Sequence, residues 1–153
     1  MRIAIGSDHA GFALKERIQR ELVSLGHTVV DAGTTSGAES VDYPDFVIPV
    51  AERVACGEAE RGVVVCATGI GAGIAANKVQ GARAAVVTSD ETARLTRQDN
   101  DSNVLALGGR TTENHEDAVR WLRIWLETPF AGGRHERRVK KIEDYEKHHT
   151  LKR

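Results

Sequence analysis

Five short apolar runs, at 2–6, 28–31, 62–66, 82–87 and 103–107, alternate with stretches whose apolar residues recur every three or four positions. The first pattern predicts strands and the second predicts amphipathic helices between them. In the first helical stretch Leu14, Ile18, Leu22 and Leu25 share one face and are assigned to the core, and Gly26 marks the stop. The second helix is expected to begin near Pro44, with Pro49 predicting a kink or a late start.

Strands this uniformly apolar belong in a parallel sheet covered on both faces, so the fold class is α/β, a three-layer sandwich on a five-stranded parallel sheet. The expected strand order is 2-1-3-4-5, as in flavodoxin-like and Rossmann-like folds. Ligands then sit beyond the carboxyl ends of strands one and three, where the winding reverses. Ser7-Asp8-His9 and Cys66 occupy those two ends, so both clusters are expected to face one crevice. The length suits a single domain over 1–153. Segment 132–153 is more polar and basic than the rest and reads as a surface helix or arm. Its few apolar residues, Val139, Ile142, Tyr145 and Leu151, make no core alone, so the arm is expected to pack on the domain or on a partner subunit.

Composition removes several function classes. Twenty-one Lys and Arg against 22 Asp and Glu leave a net charge of −1, which gives no broad attraction to nucleic acid or membrane. An anionic ligand must therefore be gripped locally. With neither a signal-type segment nor a long apolar span, the chain is expected to be soluble and cytoplasmic. Cys56 and Cys66 lack metal-type spacing and are expected to stay reduced, Cys56 in a structural role and no metal bound.

The chemistry concentrates in Cys66-Ala67-Thr68-Gly69-Ile70-Gly71-Ala72-Gly73, where a buried strand meets a glycine-rich helix start. Unpaired amides there favour a thiolate and hold an anionic oxygen, and the glycines allow close backbone approach. An inert core thiol is the plainer reading of a lone cysteine. A dinucleotide fingerprint fails because its third glycine would fall at Ile74, and no P-loop Lys follows. Asp8 is either a simple helix cap or a crevice carboxylate, and His9 beside it adds a second polar group. Arg134 and Arg138, one helical turn apart, read as a solvated charge run or, with Arg110, as guanidiniums suited to a phosphate monoester. His27, His115, His148 and His149 read as surface residues. A thiol hydrolase would need Cys66 paired with a histidine, for which His9 is the one obvious partner.

The chain closely resembles the ribose-5-phosphate isomerase B family, which includes the galactose-6-phosphate isomerase subunits. The resemblance rests on Gly6-Ser7-Asp8-His9-Ala10-Gly11-Phe12, Asp42-Tyr43-Pro44, Cys66-Ala67-Thr68-Gly69-Ile70-Gly71, Ile74-Ala75-Ala76-Asn77-Lys78, Arg97-Gln98-Asp99-Asn100-Asp101-Ser102-Asn103-Val104-Leu105 and Gly132-Gly133-Arg134-His135. It implies a cofactor-free aldose-ketose isomerase of the pentose phosphate pathway, interconverting ribose 5-phosphate and ribulose 5-phosphate through an enediolate. By the same resemblance Cys66 is the base, since other members carry a Glu where this chain has Ala72. Thr68, Gly69 and Gly71 bind the oxyanion, while Ala67, Ile70, Asp8 and Asn100 contact substrate. His9 and Arg110 hold the phosphate, with Arg134 and Arg138 arriving from the second subunit of a homodimer; a tetramer is left open. Asp99 stands where members that open a furanose ring carry a proton-transferring His. A carboxyl group with an ordinary pKa of about 3.9 has no proton to give at neutral pH. An open-chain tetrose 4-phosphate such as erythrulose 4-phosphate, or a hexose 6-phosphate, is therefore the alternative substrate. A non-catalytic module that binds a sugar phosphate or nucleotide is the alternative from another class.

Overall fold

Each of the five apolar runs forms a strand, and every pairing between them is parallel. The computed structural model describes residues 1–149, so Leu151 and the end of the arm lie outside the described residues. The strands are β1 (Arg2–Ser7), β2 (Thr28–Asp31), β3 (Arg61–Cys66), β4 (Ala84–Val86) and β5 (Val104–Gly108). The helices are α1 (Phe12–Ser24), α2 (Pro44–Ala55), α3 (Ile70–Ala76), α4 (Asp90–Asn100), α5 (His115–Glu127) and α6 (Arg134–His148).

Period-two alternation along each central strand sends side chains to two separate cores. Ile3, Ile5, Val63, Val65, Leu105 and Leu107 face α1 and α5. Ala4, Val64, Cys66 and Ala106 face α2 and α3. Leu14, Ile18 and Leu22 are fully buried as expected, but Leu25 is 43% exposed, because the helix ends at Ser24 and Gly26 turns away with φ of 83°. Helix α2 starts at Pro44, where a missing N–H costs nothing, and runs through Pro49 without a late start. Cys56 is exposed at the end of α2, outside both cores.

The strand order is β2-β1-β3-β5-β4, which corrects the expected 2-1-3-4-5 at its last two places. Burial gives the reason. All residues of β5 are buried, whereas β4 has only three residues, none of them buried, so the apolar strand takes the interior place and the short one the edge. Handedness agrees. The chain steps past β5 through α3 on the α2 face and returns through α4, which packs on α5 on the opposite face. Opposite directions on opposite faces keep both crossovers right-handed. Asn77 then shields the exposed edge: its amide donates to the Ala84 carbonyl at 2.9 Å and its oxygen accepts from the Ala84 amide at 2.7 Å.

Candidate active site

The winding still reverses between β1 and β3, and the corrected order brings β5 directly beside β3. Three loops therefore meet at the carboxyl edge of the sheet. Glycines make the meeting possible, since a Cβ at Gly11 would lie 2.7 Å from the Val65 carbonyl carbon. A Cβ at Gly108 would lie 2.8 Å from the Thr68 carbonyl, and one at Gly109 would lie 2.7 Å from the Ala10 carbonyl oxygen. No side chain fits between backbones packed this closely.

On the first loop Asp8 is 6% exposed, and its Oδ1 accepts the Gly11 amide at 2.9 Å. This braces the turn before α1, whose N-cap is Gly11 and not Asp8, and leaves Oδ2 without an intramolecular partner among the described residues. His9, beside it, accepts the Val41 amide at Nδ1 over 3.1 Å. A neutral ring accepting at Nδ1 carries its proton on Nε2.

On the second loop Cys66 is 4% exposed and ends β3. Its Sγ accepts the Gly69 amide at 3.2 Å. Gly69 has φ of 79°, and a Cβ there would press on the Leu107 carbonyl carbon at 2.9 Å. Thr68 Oγ1 takes the Ile70 amide at 3.2 Å. The amides of Gly69 and Ile70 are thus occupied, while those of Thr68 and Gly71 make no intramolecular hydrogen bond among the described residues. On the third loop the Gly109 amide donates to the Cys66 carbonyl at 2.8 Å and the Arg110 amide to the Ala67 carbonyl at 2.9 Å. This pairing places Arg110, whose side chain is exposed, beside the cysteine loop.

A fourth segment, between β2 and α2, shows no catalytic role in its residue pattern. Besides the Val41 amide it supplies Tyr43, whose ring lies so close to Gly71 that a Cβ there would be 2.7 Å from Cζ. The Asp42-Tyr43-Pro44 motif was the available signal, but nothing in it indicates contact with a loop far along the chain.

The remaining expected residues gather elsewhere. Helix α4 runs back against the strands, so Asp99 and Asn100 come at the end where β5 begins, about 13 Å of strand away from the level of Cys66 and its register partner Gly108. The chain before α6 and the first turn of α6 pack on that end: the Ala131 amide donates to the Gln98 carbonyl at 3.0 Å, and His135 Nε2 lies 3.5 Å from Asp99 Oδ1. Arg134 and Arg138 are exposed on the first turns of α6. One copy therefore carries two groups at opposite edges of its sheet: Asp8, His9, Cys66, Thr68, Gly71 and Arg110 at one, and Asp99, Asn100, Arg134 and Arg138 at the other.

The sequence profile described as Ribose/Galactose Isomerase matches residues 3–142. The chain belongs to the ribose/galactose isomerase family. It is 46% identical to ribose-5-phosphate isomerase B of Escherichia coli over 92% of this chain and 93% of that one. The structure of ribose-5-phosphate isomerase B from Clostridium thermocellum superposes with a TM-score of 0.93 at 51% identity, covering 96% of this chain and 98% of the other. The Mycoplasma genitalium ribose-5-phosphate isomerase B structure with bound ribulose 5-phosphate gives a TM-score of 0.93 at 40% identity, covering 97% of each chain. Membership of the ribose/galactose isomerase family makes this protein an isomerase. No helix among its described residues is long and apolar enough to cross a membrane.

Proposed function

We propose that the protein interconverts ribose 5-phosphate and ribulose 5-phosphate, with Cys66 as the base. The thiolate takes the C2 proton of the open-chain aldose, and the C2–H electron pair forms the C1–C2 double bond as charge moves onto O1. The proton then returns to C1 while the O2 hydroxyl proton passes to O1, leaving the ketose. The free amides of Thr68 and Gly71 face the charge that develops on oxygen. The Gly69 amide serves the sulfur instead, so its part in oxyanion binding is indirect. Asp8 Oδ2 accepts from sugar hydroxyls, and the backbone from Ala67 to Ile70 forms the wall of the pocket. His9 Nε2–H and Arg110 bind the phosphate.

The observation that carries the reading is Cys66 Sγ accepting the Gly69 amide at the carboxyl edge of the sheet, where the loops bearing Asp8, His9 and Arg110 also end. Cys66→Ala is expected to lower turnover by at least three orders of magnitude while ribose 5-phosphate still binds. Solvent-hydrogen exchange into substrate, followed by NMR alongside a binding titration, checks this. Full turnover by the variant would remove Cys66 as the base.

We further infer that the working site is shared between two copies of the chain, Arg134, Arg138, Asn100 and Asp99 serving the crevice of a second copy. The placement of these residues at the far edge of their own sheet supports this, because no side chain spans that distance. Opening a furanose ring takes a proton from the O1 hydroxyl and returns one to the ring oxygen, and His135 Nε2, 3.5 Å from Asp99 Oδ1, makes with it a pair through which that exchange can pass. The opening step then belongs to the Asp99–His135 pair.

A further inference from the structure

The segment between β2 and α2 is anchored far more firmly than a connection of its length requires. Beyond Asp31 it continues to pair with β1, the Ala32 amide donating to the Ile5 carbonyl at 2.8 Å and the Thr34 amide to the Ser7 carbonyl at 3.0 Å. Asp31 Oδ1 takes the Gly33 amide at 2.8 Å, while Oδ2 pairs with Lys15, an ammonium only 1% exposed. Gly37 next crosses the Phe12 ring, where a Cβ would approach to 3.2 Å. After this anchored path the chain reaches Val41, whose amide meets His9 Nδ1.

An imidazole facing a phosphate has one useful neutral form. With the proton on Nε2 it donates outward to a phosphate oxygen, whereas with the proton on Nδ1 it presents a lone pair to an anion. In water the two tautomers interchange freely. A main-chain amide is a donor only and never reverses its role, so opposite Nδ1 it admits only the first form.

We propose that the Val41 amide is a positioning group that holds His9 as the Nε2–H tautomer, and that the anchored segment 32–43 exists to keep that amide in place. The inference rests on the phosphate role assigned to His9 above. It adds a group that never touches substrate and acts only through the ring. Losing the amide leaves Nδ1 free and divides the ring between tautomers and rotamers. Binding of the phosphorylated substrate then weakens by about threefold to tenfold, the worth of one net hydrogen bond, while the chemistry at C1 and C2 proceeds unchanged.

The test uses full-length enzyme with 15N-labelled histidine, made as wild type, as Val41→Ala, and with the Val41 peptide bond replaced by an ester that keeps the side chain and deletes the N–H. Two-bond 1H–15N correlation spectra read the His9 tautomer directly. Wild type and V41A, which both retain the amide, are expected to show Nε2 protonated. The ester is expected to show mixed tautomers and a KM for ribose 5-phosphate raised about threefold to tenfold at unchanged kcat. A wild-type ring protonated on Nδ1, or an ester with wild-type tautomer and KM, overturns the inference. His9→Gln separates this from the underlying reading: an unchanged KM in H9Q refutes the phosphate role of His9, while the tautomer spectra still decide whether Val41 sets the ring.

Discussion

Glu21 on α1 shows how a single residue joins two elements. Its carboxylate is 4% exposed, and it accepts from Arg123 of α5 at 2.7 Å and from Arg17 at 3.2 Å. Burial alone would raise its pKa, but the Arg123 and Arg17 guanidiniums outweigh that effect and hold the carboxyl below the usual carboxylate range. The folded pKa lies under the unfolded one, so the stabilisation is complete above the unfolded value of about 4.3 and disappears as pH falls through the folded value. Glu21→Gln is therefore expected to cost about 1–3 kcal/mol at neutral pH, toward the lower end because Arg123 is largely solvated. Denaturant titrations of both proteins at pH 7 and near pH 3 check the sign, since the gap should close in acid.

Helices and strands are assigned their places here by burial demand more than by propensity. Strand β4 is tolerable at an edge only because Asn77 answers both main-chain groups of Ala84. That latch also ties the end of α3 to the strand it leads into, so one side chain terminates a helix region and protects a sheet. Asn77→Ala removes both bonds and is expected to lower stability by about 1–3 kcal/mol, measured as a shift in denaturation midpoint at unchanged slope. A midpoint equal to wild type would mean that solvent serves the edge as well as the asparagine does.

At the scale of the whole molecule, two half-sites at opposite edges of one sheet turn the proposed sharing into an arithmetic test. Cys66→Ala and Arg134→Ala would each empty both sites of their own homodimer. After mixing and subunit exchange, about half of the dimers are hybrids, each with one site carrying both lesions and one carrying neither. With substrate held far below the KM of the Arg134→Ala enzyme, where weakened phosphate binding silences it, the two preparations combined in equal amounts should recover about a quarter of wild-type activity, read in a coupled isomerase assay after exchange is verified. If all functional groups of a site came from one chain, the mixture would stay inactive.

Much of this was legible in the residue pattern because it depends on local chemistry. Strand and helix existence followed from apolar period, the C-terminal arm from its lack of a core face, and the Cys66 loop from a strand running into glycines. Pairing order was not legible in the same way, because a strand's neighbours are chosen by competition for the buried interior. That competition seated β5 next to β3 and so delivered Arg110 to the cysteine loop. It also sent Asp99 and Asn100 to the far edge, and it brought Val41 and Tyr43 onto His9 and Gly71 from a segment whose one motif, Asp42-Tyr43-Pro44, does not say what it touches. Side-chain identity encodes what a residue is able to do, while the company it keeps is a property of the packed chain.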